Sequence, residues 1–163
     1  MKTFSLHTKK AFAGLLVLLL TLSLAACNTA KNQILDSLGT YEDFESYTQG
    51  EFQDYTDYCK YFYTAANTEN NPYFSRLQSQ DLAEINAHLD DYEGWIEAYR
   101  FSDPLRPLVL NYDFDRALVD TEDYFYLLSE KEVADDGFVT FVKYELYFFD
   151  SQSLVLYYFY NNL

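Results

Sequence analysis

The sequence predicts an α+β domain: two amphipathic helices followed by a three- to four-stranded antiparallel β-meander. Three observations carry that expectation. Apolar residues recur at threes and fours over 41–66 and again from Leu82 to Tyr99. Strict alternation begins at Phe138 and runs to Phe149. Turn-forming residues, Asp135-Asp136-Gly137 and Asp150 to Ser153, punctuate the last third. Helical and extended periods thus occupy separate halves, which favours helices packed on one face of a sheet.

Each element has its own local reasons. Asn28 to Gly39 is a short polar lead, either a tether or one to two helical turns. Thr40 stands where a helix cap belongs, with Glu42, Asp43 and Glu45 in the first turns, where orphan N–H groups favour negative charge. Phe44, Tyr47, Phe52, Tyr55, Cys59, Phe62 and Tyr63 then predict a first helix over 41–66, with Gly50 as a break or a close-packing point. Cys59 reads as a buried, inert thiol among aromatics.

The second helix starts at Ser79 or Asp81. Its apolar stripe is Leu82, Ile85, Leu89, Tyr92 and Ile96, joined by Tyr99, and Asp103-Pro104 stops it. Leu108 to Tyr112 suggests a first strand, Tyr124 to Ser129 a second, Phe138 to Phe149 a long third, and Leu154 to Tyr160 the return. In the long strand, Tyr144, Leu146 and Phe148 share one face with Phe138, Thr140 and Val142. Val139, Phe141, Lys143, Glu145, Tyr147 and Phe149 share the other. The sheet's second face is unusually aromatic, so it is either a second packed layer or an exposed interaction surface. Tyr147, Phe149, Tyr157 and Phe159 are the residues expected to form that surface.

The N-terminus has a different character. Lys2, Lys9 and Lys10 lead into Ala11 to Leu24, which is apolar except for Gly14, Thr21 and Ser23. Ala25 and Ala26 precede Cys27. A basic lead, an apolar run and small residues are the parts of a secretory signal. The run from Phe12 to Ala26 is 15 residues, short of the about 20 a membrane-spanning helix needs.

Leu24-Ala25-Ala26-Cys27 resembles the lipobox of bacterial lipoproteins. That resemblance implies a diacylglyceryl group on the Cys27 thiol and cleavage before it. It covers residues 1 to 27 only. The remainder loosely resembles the small uncharacterised lipoproteins of low-GC Gram-positive bacteria, without a specific motif. The organisation expected is a lipoprotein signal peptide over 1–26, a lipidated tether over 27–39 and a single α+β domain over 40–163. The location expected is the extracytoplasmic face of the cell membrane, with membrane lipid as the partner through Cys27.

Charge narrows the remaining partners. All 26 acidic residues lie after position 26, against eight basic ones, a formal charge of −18. Phosphate backbones would be repelled, which argues against nucleic acid. Anionic lipid would be repelled as well, so acyl chains must do the holding. Aromatic content of 20 %, with 17 Tyr, argues against disorder. The phenols either border the core with wet hydroxyls or line a carbohydrate or peptide surface.

Catalytic and metal templates find little material. His88 is the one histidine after residue 26, and it reads as a surface helix residue in local ion pairs with Glu84 and Asp91. Spacing for zinc is absent. Asp113, Asp115, Asp120, Glu122 and Asp123 offer oxygen ligands, but the segment lacks the central Gly and closing Glu of a calcium loop and reads as a solvated turn. No Gly-rich phosphate loop or nucleophile elbow occurs. No cofactor, metal or catalytic residue is therefore assigned. The expected function is a non-catalytic accessory or protein-binding module of the cell envelope. The alternative is a lipoprotein binding carbohydrate or peptide through aromatic surface residues.

Overall fold

The computed structural model describes residues 30–51, 54–133 and 139–162. The chain forms two compact units, one ending at Leu38 and one beginning at Gly39. In the first, residues 30–38 are helical (α1). The expected signal peptide over 1–26 and Cys27 lie outside the described residues, as does the expected turn at Asp135-Asp136-Gly137.

The second unit is α+β. Its strands are β1 (Tyr41–Glu51), β2 (Asp54–Tyr63), β3 (Ser75–Arg76), β4 (Tyr124–Val133), β5 (Val139–Asp150) and β6 (Val155–Asn162). They form one six-stranded sheet in the order β1-β2-β6-β5-β4-β3. Every neighbouring pair is antiparallel. Between β3 and β4 the chain makes α2 (Leu82–Ser102), α3 (Pro107–Asn111) and a single 3-10 turn at Arg116–Leu118. Among the described residues, no helix is long and apolar enough to cross a membrane.

The expected helix over 41–66 is instead the β1–β2 hairpin, and the sheet has six strands. The physical reason lies in what each strand must cover. Tyr47 pairs with Tyr58 on one face, and Phe44 pairs with Tyr61 on the other. Aromatics three residues apart on opposite faces mimic helical spacing when both faces are apolar. The composition, rich in Tyr, Phe and Thr, suits strands. Gly50 has φ +146°, a conformation that L side chains rarely adopt, beside the Glu51–Asp54 pair that closes the hairpin.

The second expected helix is present as α2. Ile85, Leu89, Tyr92 and Ile96 are buried, as the apolar stripe requires. Asp81 stands at the N-cap, but its carboxylate accepts from the Gln78 N–H at 2.9 Å rather than from a helix amide. The Asp103 N–H donates to the Tyr99 carbonyl at 2.7 Å and ends the helix. Leu108 to Tyr112, expected as a strand, is mostly the short α3. Pro107 at its start presets a helical φ and lacks the N–H that would go unsatisfied there.

The α2 side of the sheet holds the core, in which Tyr58, Phe159, Leu146 and Phe148 pack with Ile85, Leu89, Tyr92 and Ile96. Across the strands this face reads Tyr47, Tyr58, Phe159, Leu146, Leu127. The opposite face reads Ser46, Cys59, Tyr158, Tyr147, Tyr126. Its centre is buried too, and Phe74 sets its ring edge-on against Tyr147 with centroids 6.4 Å apart. Both layers of the sheet are therefore packed.

Expected faces in β5 hold from Lys143 to Phe149 and fail earlier. Lys143 pairs with Glu130, and Phe141 with Lys131, so Val142 is an extra residue. Such a bulge reverses which side the preceding residues face. It brings Phe141 to the α2 side, 4.2 Å from the His88 ring.

Candidate functional site

The four aromatics expected to form one exposed surface are divided between the faces. Asp150 pairs with Val155, so odd-numbered β5 residues stand beside even-numbered β6 residues. Tyr147 and Phe149 lie on the face away from α2, and Tyr157 and Phe159 on the face toward it. Tyr147 is 0 % exposed, Phe149 1 % and Phe159 0 %, while Tyr157 is half-buried against Phe114. The expectation of a single exposed patch is thus corrected. The aromatic second face is a packed layer.

Tyrosine hydroxyls in that layer find acceptors. The Tyr147 hydroxyl donates to Glu145 Oε2 at 2.8 Å, and the Tyr158 hydroxyl to the same oxygen at 3.4 Å. Burial and the neighbouring Glu145 carboxylate push the Tyr147 phenol far above its ordinary pKa of 10.0. Cys59 is buried on β2, with Sγ 3.3 Å from Ser46 Oγ.

His88 is fully buried, not a surface residue as expected. Its Nδ1 lies 2.8 Å from the Glu84 carbonyl, which can only accept, so Nδ1 carries the proton. Nε2 then accepts from Ser129 Oγ at 2.8 Å. Phe141 and Tyr144 cover the ring. Burial holds the imidazole below its ordinary 6.5, partly offset by the Glu84 carbonyl. The pair joins α2 to β4 across 41 residues of sequence, a contact that no local spacing signals.

A second chain of hydrogen bonds runs beside it. Thr56 Oγ1 donates to Asn161 Oδ1 at 3.0 Å, so the Tyr99 hydroxyl, 3.1 Å away, donates to Thr56. Asn161 Nδ2 donates to Asp91 Oδ2 at 3.4 Å, and the Tyr144 hydroxyl donates to the same oxygen at 3.0 Å. Asp91 is the acceptor where the chain ends. Burial raises its carboxyl pKa, against the lowering effect of these donors.

The expected acidic cluster also serves internal contacts. Asp113 accepts from the Tyr58 hydroxyl and from Lys60 Nζ, both at 2.8 Å. Burial works against its charge, yet these two bonds hold its carboxyl below the usual range. Asp115 caps the 3-10 turn through the Ala117 N–H, and Asp120 accepts from the Glu122 N–H. Asp123 is buried and accepts from the Ser151 N–H at 2.9 Å. Among the described residues, no group of three or more His, Cys, Asp or Glu could hold a metal ion.

A concave region lies around Arg76 on the short edge strand β3. Thr68, Glu69, Asn70, Asn71, Phe74, Arg76 and Tyr124 line a cavity of about 420 Å³. A second, of about 290 Å³, lies between Arg76, Leu77, Gln78, Ser79 and Thr121. Asn71 builds the rim: its Oδ1 accepts from the Tyr73 and Phe74 N–H groups, and its Nδ2 donates to the Asn67 carbonyl. Arg76 Nε donates to the Thr121 carbonyl at 3.0 Å. A further cavity of about 250 Å³ sits between Leu128, Glu130, Lys143 and Glu145.

No protein-family model, curated protein or solved structure matches the chain.

Proposed function

We propose that this protein is a membrane-anchored extracytoplasmic lipoprotein, held by acyl chains on Cys27, whose domain is a non-catalytic binding module. The observation that carries the anchor is Leu24-Ala25-Ala26-Cys27 at the end of an apolar run with a basic lead. Two acyl chains bury enough methylenes, at about 0.8 kcal/mol each, for stable attachment. A body of 26 acids and eight bases has no electrostatic means of holding an anionic bilayer by itself.

A binding rather than catalytic role is supported by how the interior polar groups are engaged. The imidazole of His88 is fully covered, and its second nitrogen faces a backbone carbonyl rather than a carboxylate. Asp91 accepts from Tyr144 and Asn161. The partner is an envelope protein or a polymer, and the open surface around Arg76 favours the polymer. Changing Cys27→Ser is expected to leave an unprocessed precursor and abolish labelling by radioactive fatty acid. Undiminished labelling of the variant would sink the anchor.

A further inference from the structure

We infer that Arg76 anchors a binding site for the carboxylate of an acidic sugar. The inference rests on the reading of the domain as a binding module and is independent of the anchor.

Its first support is the distribution of ion pairs. The chain has 26 acidic residues and 11 Lys and Arg. With acids in such excess, a basic side chain on the surface should find one. Lys60, Arg100, Arg106, Arg116 and Lys131 each do. Among the described residues of the second unit, Arg76 and Lys143 have no carboxylate in ion-pair range. Lys143 lies over the Tyr160 ring, 5.8 Å from its centroid. Arg76 is exposed and stands at the junction of two cavities.

Its second support is how the guanidinium is held. The Nε–H bond to the Thr121 carbonyl is 3.0 Å long and fixes one edge of the plane. The two Nη groups keep four N–H donors with no acceptor among the described residues. A guanidinium positioned by one edge and open at the other matches the two oxygens of a carboxylate. Desolvating an arginine is costly, so surface arginines usually stay hydrated or paired. Here the backbone holds it in place before any ligand arrives, which lowers the ordering cost of binding.

The class of ligand follows from the lining. Glu69 lies on the cavity wall, and a doubly charged phosphate would meet it at a cost. A singly charged carboxylate meets a smaller repulsion there, which the Arg76 guanidinium offsets. Thr68 and Asn70 offer a hydroxyl and an amide suited to ring hydroxyls. Tyr124 supplies a half-buried aromatic wall for the apolar face of a pyranose. Asn70 holds φ +53°, which sets its backbone in the tight turn that forms the rim.

The test titrates the full-length protein with D-glucuronate while amide chemical shifts are recorded. Saturable shifts are expected at residues 68–71, 76 and 124, with a dissociation constant in the millimolar range, about 4 kcal/mol of binding. D-glucose is expected to bind at least about 10-fold more weakly, and so is D-glucuronate to Arg76→Gln. Arg76→Lys should fall between, since it keeps the charge and loses the fork. Absence of saturable shifts, equal affinity for glucose, or full binding by Arg76→Gln would overturn the site. N-acetylalanine binding more tightly than glucuronate would overturn the sugar assignment and give the site to a peptide carboxylate.

Discussion

The polar network under α2 and the cleft at Arg76 use hydrogen-bonding groups in opposite ways. Under α2, Tyr99, Thr56, Asn161 and Tyr144 pass donors toward Asp91, and Ser129 completes His88. At the cleft, one bond holds the Arg76 guanidinium and leaves the rest of it facing open space. A buried polar group left without a partner costs about 1–3 kcal/mol, so the interior must close on itself. An exposed group has water to satisfy it and is free to exchange that water for a ligand. Buried polarity in this domain holds elements together, and the exposed guanidinium is available for recognition.

The largest expected effect comes from breaking the interior side. His88→Ala removes a covered ring packed on Phe141 and strands the Ser129 hydroxyl. Loss of about 2–4 kcal/mol of stability is expected in urea unfolding. A loss under about 1 kcal/mol would show that the imidazole does not join α2 to β4.

A smaller effect is expected from pH. The folded-state pKa of His88 lies below its ordinary 6.5 because burial disfavours the charged ring. Just below the ordinary value the unfolded chain binds the proton and the folded one does not, so stability falls as pH drops through 6.5. Asp91 acts with the opposite sign, because its raised pKa makes the folded state the better proton acceptor, but only as pH approaches its own acidic range. Replacing His88 should remove the slope around the ordinary histidine value of 6.5. An unchanged slope would assign it to another group.

The smallest effect is expected at the cleft. Arg76→Gln should change stability by no more than about 0.5 kcal/mol, because the side chain is exposed and makes one hydrogen bond. A loss above about 1.5 kcal/mol would place Arg76 with the structural groups and erase the contrast.

Legibility followed solvation. The stripe of α2 was readable because Asp90, Gly94, Glu97 and Ala98 face solvent and leave the apolar positions distinct. Strands β5 and β6 were readable from their alternation and from the turn at Asp150 to Ser153. The β1–β2 hairpin was not, because Tyr47 and Tyr58 cover one face while Phe44 and Tyr61 cover the other. The odd register of β5 against β6 was equally hidden, since turn geometry sets it. The bulge at Val142 leaves no mark in composition. His88 and Ser129 meet only through the fold, and Arg76 gains meaning only from the cavities beside it.

In the proposed anchoring, a body with 26 acids and eight bases after residue 26 depends on acyl chains at the Cys27 thiol to stay at a bilayer. The direct measurement is the intact mass of the native protein purified from membranes. The predicted mass is that of a chain starting at Cys27 plus a diacylglyceryl group. A chain retaining Met1, or one with an unmodified Cys27, would contradict it.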